Sequence, residues 1–205
     1  MTFGQLDFDG FSNDPQHAKA PPGLRYLPDT VSVQIEQSLL GAIDAQDWLT
    51  SMSRRVQHYG WQYDYKARRV SPESYLGPLP TFLTPVLDIV KAEAAFTPDQ
   101  AIINEYEPGQ GIAPHVDCEP CFGPIVAMVG LGSSAQMDFA HRPTGRTWSL
   151  WFERRALLIL GSDARSEWTH SIAKRRTDPG SSGRRGRRVS ITFRTVVSAP
   201  PATTP

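Results

Sequence analysis

The stretch RVSITFR at residues 188–194 alternates polar and apolar side chains. β-Branched and aromatic residues favour a strand, whose successive side chains point to opposite faces. Alternation places four polar residues on one face and three apolar ones on the other: Arg188, Ser190, Thr192 and Arg194 against Val189, Ile191 and Phe193. Two guanidinium groups on one face of a buried strand require an anionic partner, because an unpaired buried charge is costly.

Other β-rich runs precede this strand from residue 101 onward, separated by Gly, Pro, Ser or charged turns. They are AIINEY, PIVAMVGLG, AQMDFAH, TWSLWF and ALLILGS. The half of the chain before them carries helical apolar spacing over residues 42–56 and 84–96. Strands that follow a helical half predict an α+β fold, a sheet sandwich or open barrel backed by helices.

The length and the chain ends predict one domain. A chain of 205 residues can bury one proper core. Residues 1–22 lack sustained periodicity, and residues 198–205 form a Pro/Thr tail, SAPPATTP. We expect both ends to be disordered and the domain to cover residues 23–197.

The charge balance excludes a global attraction to nucleic acid or to an anionic membrane. The 21 basic residues match 21 acidic ones, so any anionic partner must be bound by a local patch. The N-terminus has no signal-peptide pattern, and no run approaches the roughly 18 apolar residues of a membrane span. We expect a cytoplasmic monomer.

Three residues form a candidate metal site. His115 and Asp117 are one residue apart, so on an extended segment both project to the same side. That pair alone also fits a polar strand end, and a lone histidine such as His170 is more often structural. Together, two histidines and one carboxylate make the facial triad that leaves iron open positions for a co-substrate and O₂.

The arginines of residues 188–194 suggest what that co-substrate is. Arginine forms bidentate pairs with carboxylates, so Arg188 and Arg194 on one strand can hold a linear dicarboxylate that also chelates the metal. The alternative is a strand edge guarded by charge.

These motifs together resemble the AlkB family of Fe(II)/2-oxoglutarate-dependent dioxygenases. The family pattern runs from Asn-x-Tyr through His-x-Asp and a distant His to Arg-x-(Asn/Ser)-x-Thr-x-Arg. Its pieces occur here in that order: Asn104 and Tyr106, His115 and Asp117, His170, then Arg188, Ser190, Thr192 and Arg194. The resemblance covers residues 23–197. It implies a double-stranded β-helix (jelly-roll) core with supporting N-terminal helices and a nucleotide-recognition lid over residues 58–76.

The resemblance also implies the cofactors and the reaction. His115, Asp117 and His170 would be the catalytic Fe(II) ligands. The residues that would bind 2-oxoglutarate are Asn104, Tyr106, Arg188, Ser190, Thr192 and Arg194, with Ser190 standing where several relatives have Asn. Such enzymes couple the oxidation of 2-oxoglutarate to succinate by O₂ to hydroxylation of a C–H bond. On an N-alkylated base the hydroxylated carbon leaves as an aldehyde, which amounts to repair.

A nucleic-acid substrate, DNA or RNA, is expected from the residues around the motif. Glu119 resembles the position at which several repair members read the damaged base, although a solvated loop glutamate is as common. The residues expected to stack on a flipped base and to contact phosphates are Tyr63, Tyr65, Arg68 and Arg69. Basic runs at residues 174–176 and 183–188 extend this patch, although such runs are often merely solvated.

Two other functions stay open. The stretch NEYEPGQGIAP at residues 104–114 is also similar to the AlkB-like domain of tRNA wobble-uridine hydroxylases, which favours hydroxylation of a modified tRNA nucleoside. A third hypothesis is that the protein is a non-catalytic nucleic-acid- or protein-binding module. Cys118 and Cys121 lack a second ligand pair for zinc, so we interpret them as part of a loop beside the active site.

Overall fold

Two antiparallel sheets form the core of the computed structural model, which describes residues 19–50 and 52–197. The larger sheet has the strand order β1-β8-β5-β10-β3-β2, and the smaller one β4-β9-β6-β7. The strands are β1 (Leu24–Leu27), β2 (Arg55–Tyr59), β3 (Gln100–Tyr106), β4 (Ile112–His115), β5 (Val126–Gly132), β6 (Ala135–His141), β7 (Thr147–Phe152), β8 (Leu157–Leu160), β9 (Trp168–Ile172) and β10 (Arg188–Arg194). The α+β prediction of packed sheets backed by helices is confirmed.

The first two helices cover the outer face of the larger sheet. Helix α1 (Val33–Asp44) begins after Ser32, whose side chain caps it by accepting from the Ile35 N–H at 3.2 Å. Helix α2 is Thr84–Ala94, and the short α3 is Ser162–Ser166. The apolar face of β10 packs into this helix-side core with the apolar residues of α1 and α2. The alternation seen in the sequence therefore places the apolar face of β10 in the helix-side core and its polar face between the two sheets.

A second apolar cluster fills one end of the space between the two sheets. Its largest fully buried members are Phe139, Phe152 and Trp168. The polar face of β10 looks into the same space, beyond this cluster. The sandwich is therefore packed at one end and lined by polar groups at the other.

The helix predicted over residues 42–56 is wrong. Helix α1 lies earlier and ends at Asp44, and residues 55–59 form β2 instead. Val56 is buried because it pairs with Asn104 across β2 and β3. Its apolar spacing thus reflects sheet pairing, a long-range contact that overrides local helical periodicity. The second predicted helix, residues 84–96, ends two residues earlier, where Ala95 adopts a left-handed conformation.

The domain limits 23–197 stay a prediction. The predicted ends, residues 1–22 and 198–205, fall outside the described residues except for positions 19–22. Here the Pro21 and Pro22 carbonyls accept hydrogen bonds from Leu24 and Ala164 at 3.0 and 2.8 Å. None of the helices in the described ranges is long and apolar enough to cross a membrane.

Candidate active site

A cavity of about 950 Å³ opens between the two sheets at their polar end. Its walls come from β3, β4, β9 and β10, and from the segments around residues 52–54, 63–68 and 116–122. Pockets of roughly 300–1,000 Å³ hold drug-sized ligands. The cavity therefore has the volume for a small dicarboxylate and a flat ring together.

The predicted metal ligands meet on one wall of this cavity. His115 ends β4 and pairs directly with His170 of β9, with ring centroids 4.4 Å apart. Asp117 lies two residues further along, with Oδ2 3.8 Å from His170 Nε2. Sheet pairing thus brings together residues that are more than fifty positions apart in the chain.

The hydrogen bonding and charge of these three groups suit a divalent cation. His115 Nδ1 lies 2.9 Å from the Ala113 carbonyl oxygen, which can only accept, so Nδ1 is the donor of this hydrogen bond and Nε2 is the nitrogen left for a metal ion. Burial lowers the pKa of His170 to about 3, which keeps that imidazole neutral. Burial of Asp117 opposes ionisation, but Arg194 and the two histidines outweigh it and hold its pKa well below the usual value.

Arg194 forms a short ion pair through its NH2 group with Asp117 Oδ1. Within the described part of the chain, no three His, Cys, Asp or Glu side chains are already arranged to hold a metal ion. The donor set itself, two imidazoles and one carboxylate, fits Fe(II). The assignment of the three ligands stays a prediction.

A buried arginine that the sequence did not reveal supports the loop carrying Asp117. Arg165, 5% exposed, lies at the end of α3. Its guanidinium donates to the carbonyl oxygens of Asp117, Phe122 and Gly123 at 3.0, 3.4 and 3.3 Å. These bonds fix the backbone on both sides of the Cys118–Cys121 turn.

The polar faces of β3 and β10 form the adjoining wall. Ser190 pairs with Asn104 and Arg188 pairs with Tyr106 across the two strands. Of the six residues predicted to bind 2-oxoglutarate, five line the cavity: Asn104, Tyr106, Ser190, Thr192 and Arg194. The sixth, Arg188, lies behind them between the sheets.

Arg188 is a buried cation with spare donors. It is 3% exposed, and its NH1 group donates to the Ser133 and Phe152 carbonyls at 2.8 and 3.3 Å. Its Nε and NH2 atoms are buried and have no partner among the described residues. Gly130 makes room for it, since a Cβ there would lie 3.0 Å from NH2. Unpaired donors on a buried guanidinium are suited to binding an anionic ligand.

Burial lowers the pKa of Arg188 to about 10, so the group remains charged at neutral pH. Burial also raises the pKa of Tyr106, which keeps its phenol protonated. The wall of β3 and β10 therefore offers hydrogen-bond donors to a carboxylate.

The segment predicted as the lid is a hairpin-like excursion that follows β2. Its arms meet where Trp61 pairs with Tyr75. Tyr63, Tyr65 and Arg68 line the cavity, and the Tyr63 ring lies 5.1 Å from Tyr65. Tyr63 also lies 5.6 Å from Phe122.

Arg69 does not line the cavity. Its backbone pairs with Asp64 at the turn, and its side chain is exposed. Of the four lid residues predicted to bind substrate, the structure thus places three at the cavity and Arg69 outside it. The turn conformation, in which Arg68 has a positive φ of 52°, separates the two arginines.

Glu119 stands at the exposed rim of the cavity. Its carboxylate accepts a hydrogen bond from Arg142 NH1 at 3.3 Å. Beside it, Cys118 and Cys121 form a disulfide. Their sulfur atoms lie 3.4 and 3.5 Å from the Arg68 carbonyl oxygen, so this loop touches the lid.

Comparison with known proteins identifies the family. The 2OG-Fe(II) oxygenase superfamily model matches residues 25–194. An "Alkylated DNA repair protein ALKBH8 homolog" of Arabidopsis thaliana is 34% identical over 87% of this chain. The chain belongs to the AlkB family of 2-oxoglutarate oxygenases. As a member of this AlkB family, it is a dioxygenase enzyme.

Other comparisons give the limits of the likeness. The Xenopus tropicalis protein "tRNA (carboxymethyluridine(34)-5-O)-methyltransferase alkbh8" is 36% identical over 88% of this chain. The chain spans 60% of the Arabidopsis relative and 32% of the Xenopus one. The solved structure of OsALKBH1 superposes with a TM-score of 0.66 at 17% identity, covering 88% of this chain and 100% of that one. That match confirms the jelly-roll prediction.

Proposed function

We propose that this AlkB-family enzyme oxidatively dealkylates N-alkylated bases in DNA or RNA, using Fe(II), 2-oxoglutarate and O₂. One observation carries the proposal. A single cavity joins a His-Asp-His wall to the arginine-bearing face of β10, beneath a lid that presents two tyrosine rings. These are the parts that metal binding, dicarboxylate binding and base stacking each require.

Each cofactor has a set of residues that would hold it. His115, Asp117 and His170 would bind Fe(II), whose chemistry couples the oxidation of 2-oxoglutarate to succinate by O₂ with oxidation of the substrate. Arg188 would pair with the far carboxylate of 2-oxoglutarate through its unpartnered nitrogens. The pairing would relieve a buried charge that the protein alone leaves incompletely compensated.

The lid supplies a stacking surface for a flat base. Tyr63 and Tyr65 meet edge to face, and Tyr63 contacts Phe122, which follows the Cys118–Cys121 turn. Stacking a base on such rings is worth about 1–3 kcal/mol, whatever the base. The same rings would exclude water from the reacting carbon.

Fewer basic residues are free to contact phosphates than the sequence suggests, because several of them pair with carboxylates of the protein. Arg175 and Arg185 both pair with the buried Asp178, and Arg187 pairs with Glu105. Within these runs, Lys174 lines the cavity, as does the lid residue Arg68. These two cations are our candidates for the phosphates that flank a flipped base.

The test is product formation from N-methylated single-stranded DNA and RNA with Fe(II) and 2-oxoglutarate in air. We expect formaldehyde together with an equal substrate-dependent increase in succinate, and neither product from Asp117→Asn. His141→Asn is the matched control: this histidine is on β6, bonded to Thr144 and Glu167 away from the metal wall. Wild-type protein that yields no formaldehyde from any alkylated strand removes dealkylation as the function.

A second candidate is hydroxylation of a modified tRNA nucleoside without loss of a carbon. It is favoured by the 36% identity to the Xenopus relative, whose name refers to a tRNA carboxymethyluridine. Mass spectrometry of nucleosides from treated tRNA separates the two reactions, because hydroxylation adds one oxygen and releases no aldehyde.

A further inference from the structure

Two consecutive arginines hold two consecutive residues of β3 from opposite faces of the larger sheet. Arg54 Nε donates to Asn104 Oδ1 at 2.8 Å. Arg55 donates to the Glu105 carboxylate through Nε and NH2, at 2.5 and 2.7 Å. Because strand residues alternate faces, the first contact lies in the cavity wall and the second on the helix side.

The helix-side contact is structural. Glu105 is 2% exposed and also accepts from Arg187 Nε at 2.6 Å. Arg55 lies over the Trp48 ring at 4.8 Å. Two arginines thus meet one buried carboxylate across β2, β3 and the start of β10, which fixes the strands that carry the cavity residues.

The cavity-side contact determines which end of the Asn104 amide faces a ligand. An asparagine amide has a carbonyl oxygen that accepts and a nitrogen that donates. Arginine has donors only, so Arg54 can hold Oδ1 and never Nδ2. With Oδ1 engaged, Nδ2 is the group that remains for the cavity, and no acceptor contacts it among the described residues.

Arg54 itself has no carboxylate partner in the described ranges. No Asp or Glu oxygen there lies within 4.0 Å of its nitrogens, whereas the neighbouring Arg55 and Arg194 each have one. Its hydrogen bond to Asn104 spans fifty residues and is half-buried. Arg54 therefore holds a residue of the cavity wall, whereas Arg55 stabilises the pairing of the strands.

We propose that Arg54 is a positioning residue that fixes the Asn104 amide with its nitrogen toward the carboxylate of 2-oxoglutarate. The proposal rests on the proposed function, in which Asn104 contacts that co-substrate. An amide turned the other way presents its oxygen to a carboxylate, which replaces attraction by repulsion. Arg54 acts on the co-substrate through Asn104, without touching it.

The experiment compares Arg54→Gln with Arg54→Met. Glutamine places its amide nitrogen the same number of bonds from Cα as arginine Nε, so it keeps the donor and removes the charge. Methionine keeps the length and removes both. We expect Arg54→Met to weaken 2-oxoglutarate binding about tenfold, the size of one hydrogen bond to a charged group, and Arg54→Gln to stay within about twofold.

The measurement is calorimetric titration of 2-oxoglutarate into folded protein loaded with Mn(II), so binding is read without turnover. Arg55→Met is the matched control: it should lower the unfolding temperature and leave the dissociation constant unchanged. A double-mutant cycle with Asn104→Ala completes the test. In the Asn104→Ala background, Arg54→Met should add less than about a twofold effect, because there is no amide left to orient.

Four results overturn the proposal. Equal weakening by Arg54→Met and Arg54→Gln would mean that the charge of Arg54 acts directly. The same would follow if Arg54→Met weakened binding equally with and without Asn104. Wild-type binding retained by Arg54→Met would remove the positioning role while leaving the proposed function intact, whereas wild-type protein that fails to bind 2-oxoglutarate would remove both.

Discussion

Two buried Asp–Arg pairs lie in different regions of this molecule and look alike in isolation. Asp117 meets Arg194 in the cavity, and Asp178 meets Arg185 in the loop between β9 and β10. Both carboxylates are buried, at 6% and 3% exposed, and both have pKa values below the usual carboxyl range. Burial and a lowered pKa therefore do not by themselves identify a catalytic residue.

The two pairs differ in how completely they are satisfied. Asp178 accepts from Arg185 Nε at 2.7 Å and from Arg175 Nε at 3.1 Å. Arg185 also donates to the Ala173 carbonyl at 2.7 Å. In the cavity, Arg194 Nε has no partner among the described residues, and Asp117 Oδ2 faces His170 at 3.8 Å. The satisfied pair stabilises the fold, and the unsatisfied one has capacity left for a metal ion and a ligand.

The sharpest test of this comparison is turnover. We expect Asp117→Asn to abolish succinate formation, because a neutral amide replaces the carboxylate of the proposed triad. Asp178→Asn should retain wild-type turnover per folded molecule. Assays well below the unfolding temperature, corrected for the folded fraction, measure both. Loss of turnover in Asp178→Asn at full folding would show that the two pairs are not functionally distinct.

The reverse ranking holds for stability. Asp178→Asn should lower the free energy of unfolding by roughly 3 kcal/mol, because it leaves the buried Arg185 without a carboxylate partner. Asp117→Asn should cost less, because Arg194 keeps Gln100 Oε1 at 3.2 Å and the Phe122 ring. Denaturant unfolding of both variants at neutral pH measures the difference.

The pH dependence provides the control. Burial opposes ionisation of Asp178, but the Arg185 contact outweighs it and lowers the pKa. The stabilisation is then present above the ordinary carboxyl pKa and is lost as pH falls through the folded-state value. The stability gap between wild type and Asp178→Asn should therefore shrink in acid. A gap that stays constant into acid would mean that the Asp178 charge contributes nothing.

Replacing the arginines of the two regions should also have different effects, on co-substrate binding in one region and on stability in the other. Arg188→Met should raise the 2-oxoglutarate concentration for half-maximal turnover on the order of 10- to 100-fold, as expected for lost charge-assisted hydrogen bonds. It should cost little stability, because this cation has two unpartnered nitrogens. Arg185→Met, which strips Asp178 of its main partner, should destabilise the fold without changing that concentration. Equal stability losses would contradict the distinction.

The smallest effect is expected at the cavity rim. Glu119 and Arg142 are both about half exposed, so their pair contributes little to stability. Glu119→Ala should change unfolding by less than about 0.5 kcal/mol. It should reduce turnover of the proposed nucleic-acid substrate several-fold more than it reduces substrate-independent succinate formation. Parallel losses in the two reactions would mean that Glu119 supports the cofactor site instead of reading the base.

Residues whose motif spacing is local could be found from the sequence. His115 and Asp117 share a side of one segment, and the alternation of residues 188–194 matches the division between the helix-side core and the cavity. The six β-rich runs correspond to β3, β5, β6, β7, β8 and β10. Strand alternation needs no knowledge of partners, because both faces of a strand are defined by its own backbone.

Residues that act through distant partners could not be found this way. Arg54, Arg165 and Phe122 reach the site from segments with no motif, and β2 was concealed by helical spacing. Arg69 stood beside Arg68 in the sequence but lies outside the cavity, because a turn separates them. In each case the deciding contact joins residues that are far apart in the chain or depends on a local turn geometry.

By itself, the sequence determined the chemistry of the donors: two histidines, a carboxylate and paired arginines in a β-rich chain. Only the tertiary structure decided which polar groups are satisfied and which are not. Arg185 and Arg188, three residues apart, illustrate the reason. A guanidinium is a binding group only if folding leaves its donors unmatched, and that depends on which strands pair and what they bring opposite each other.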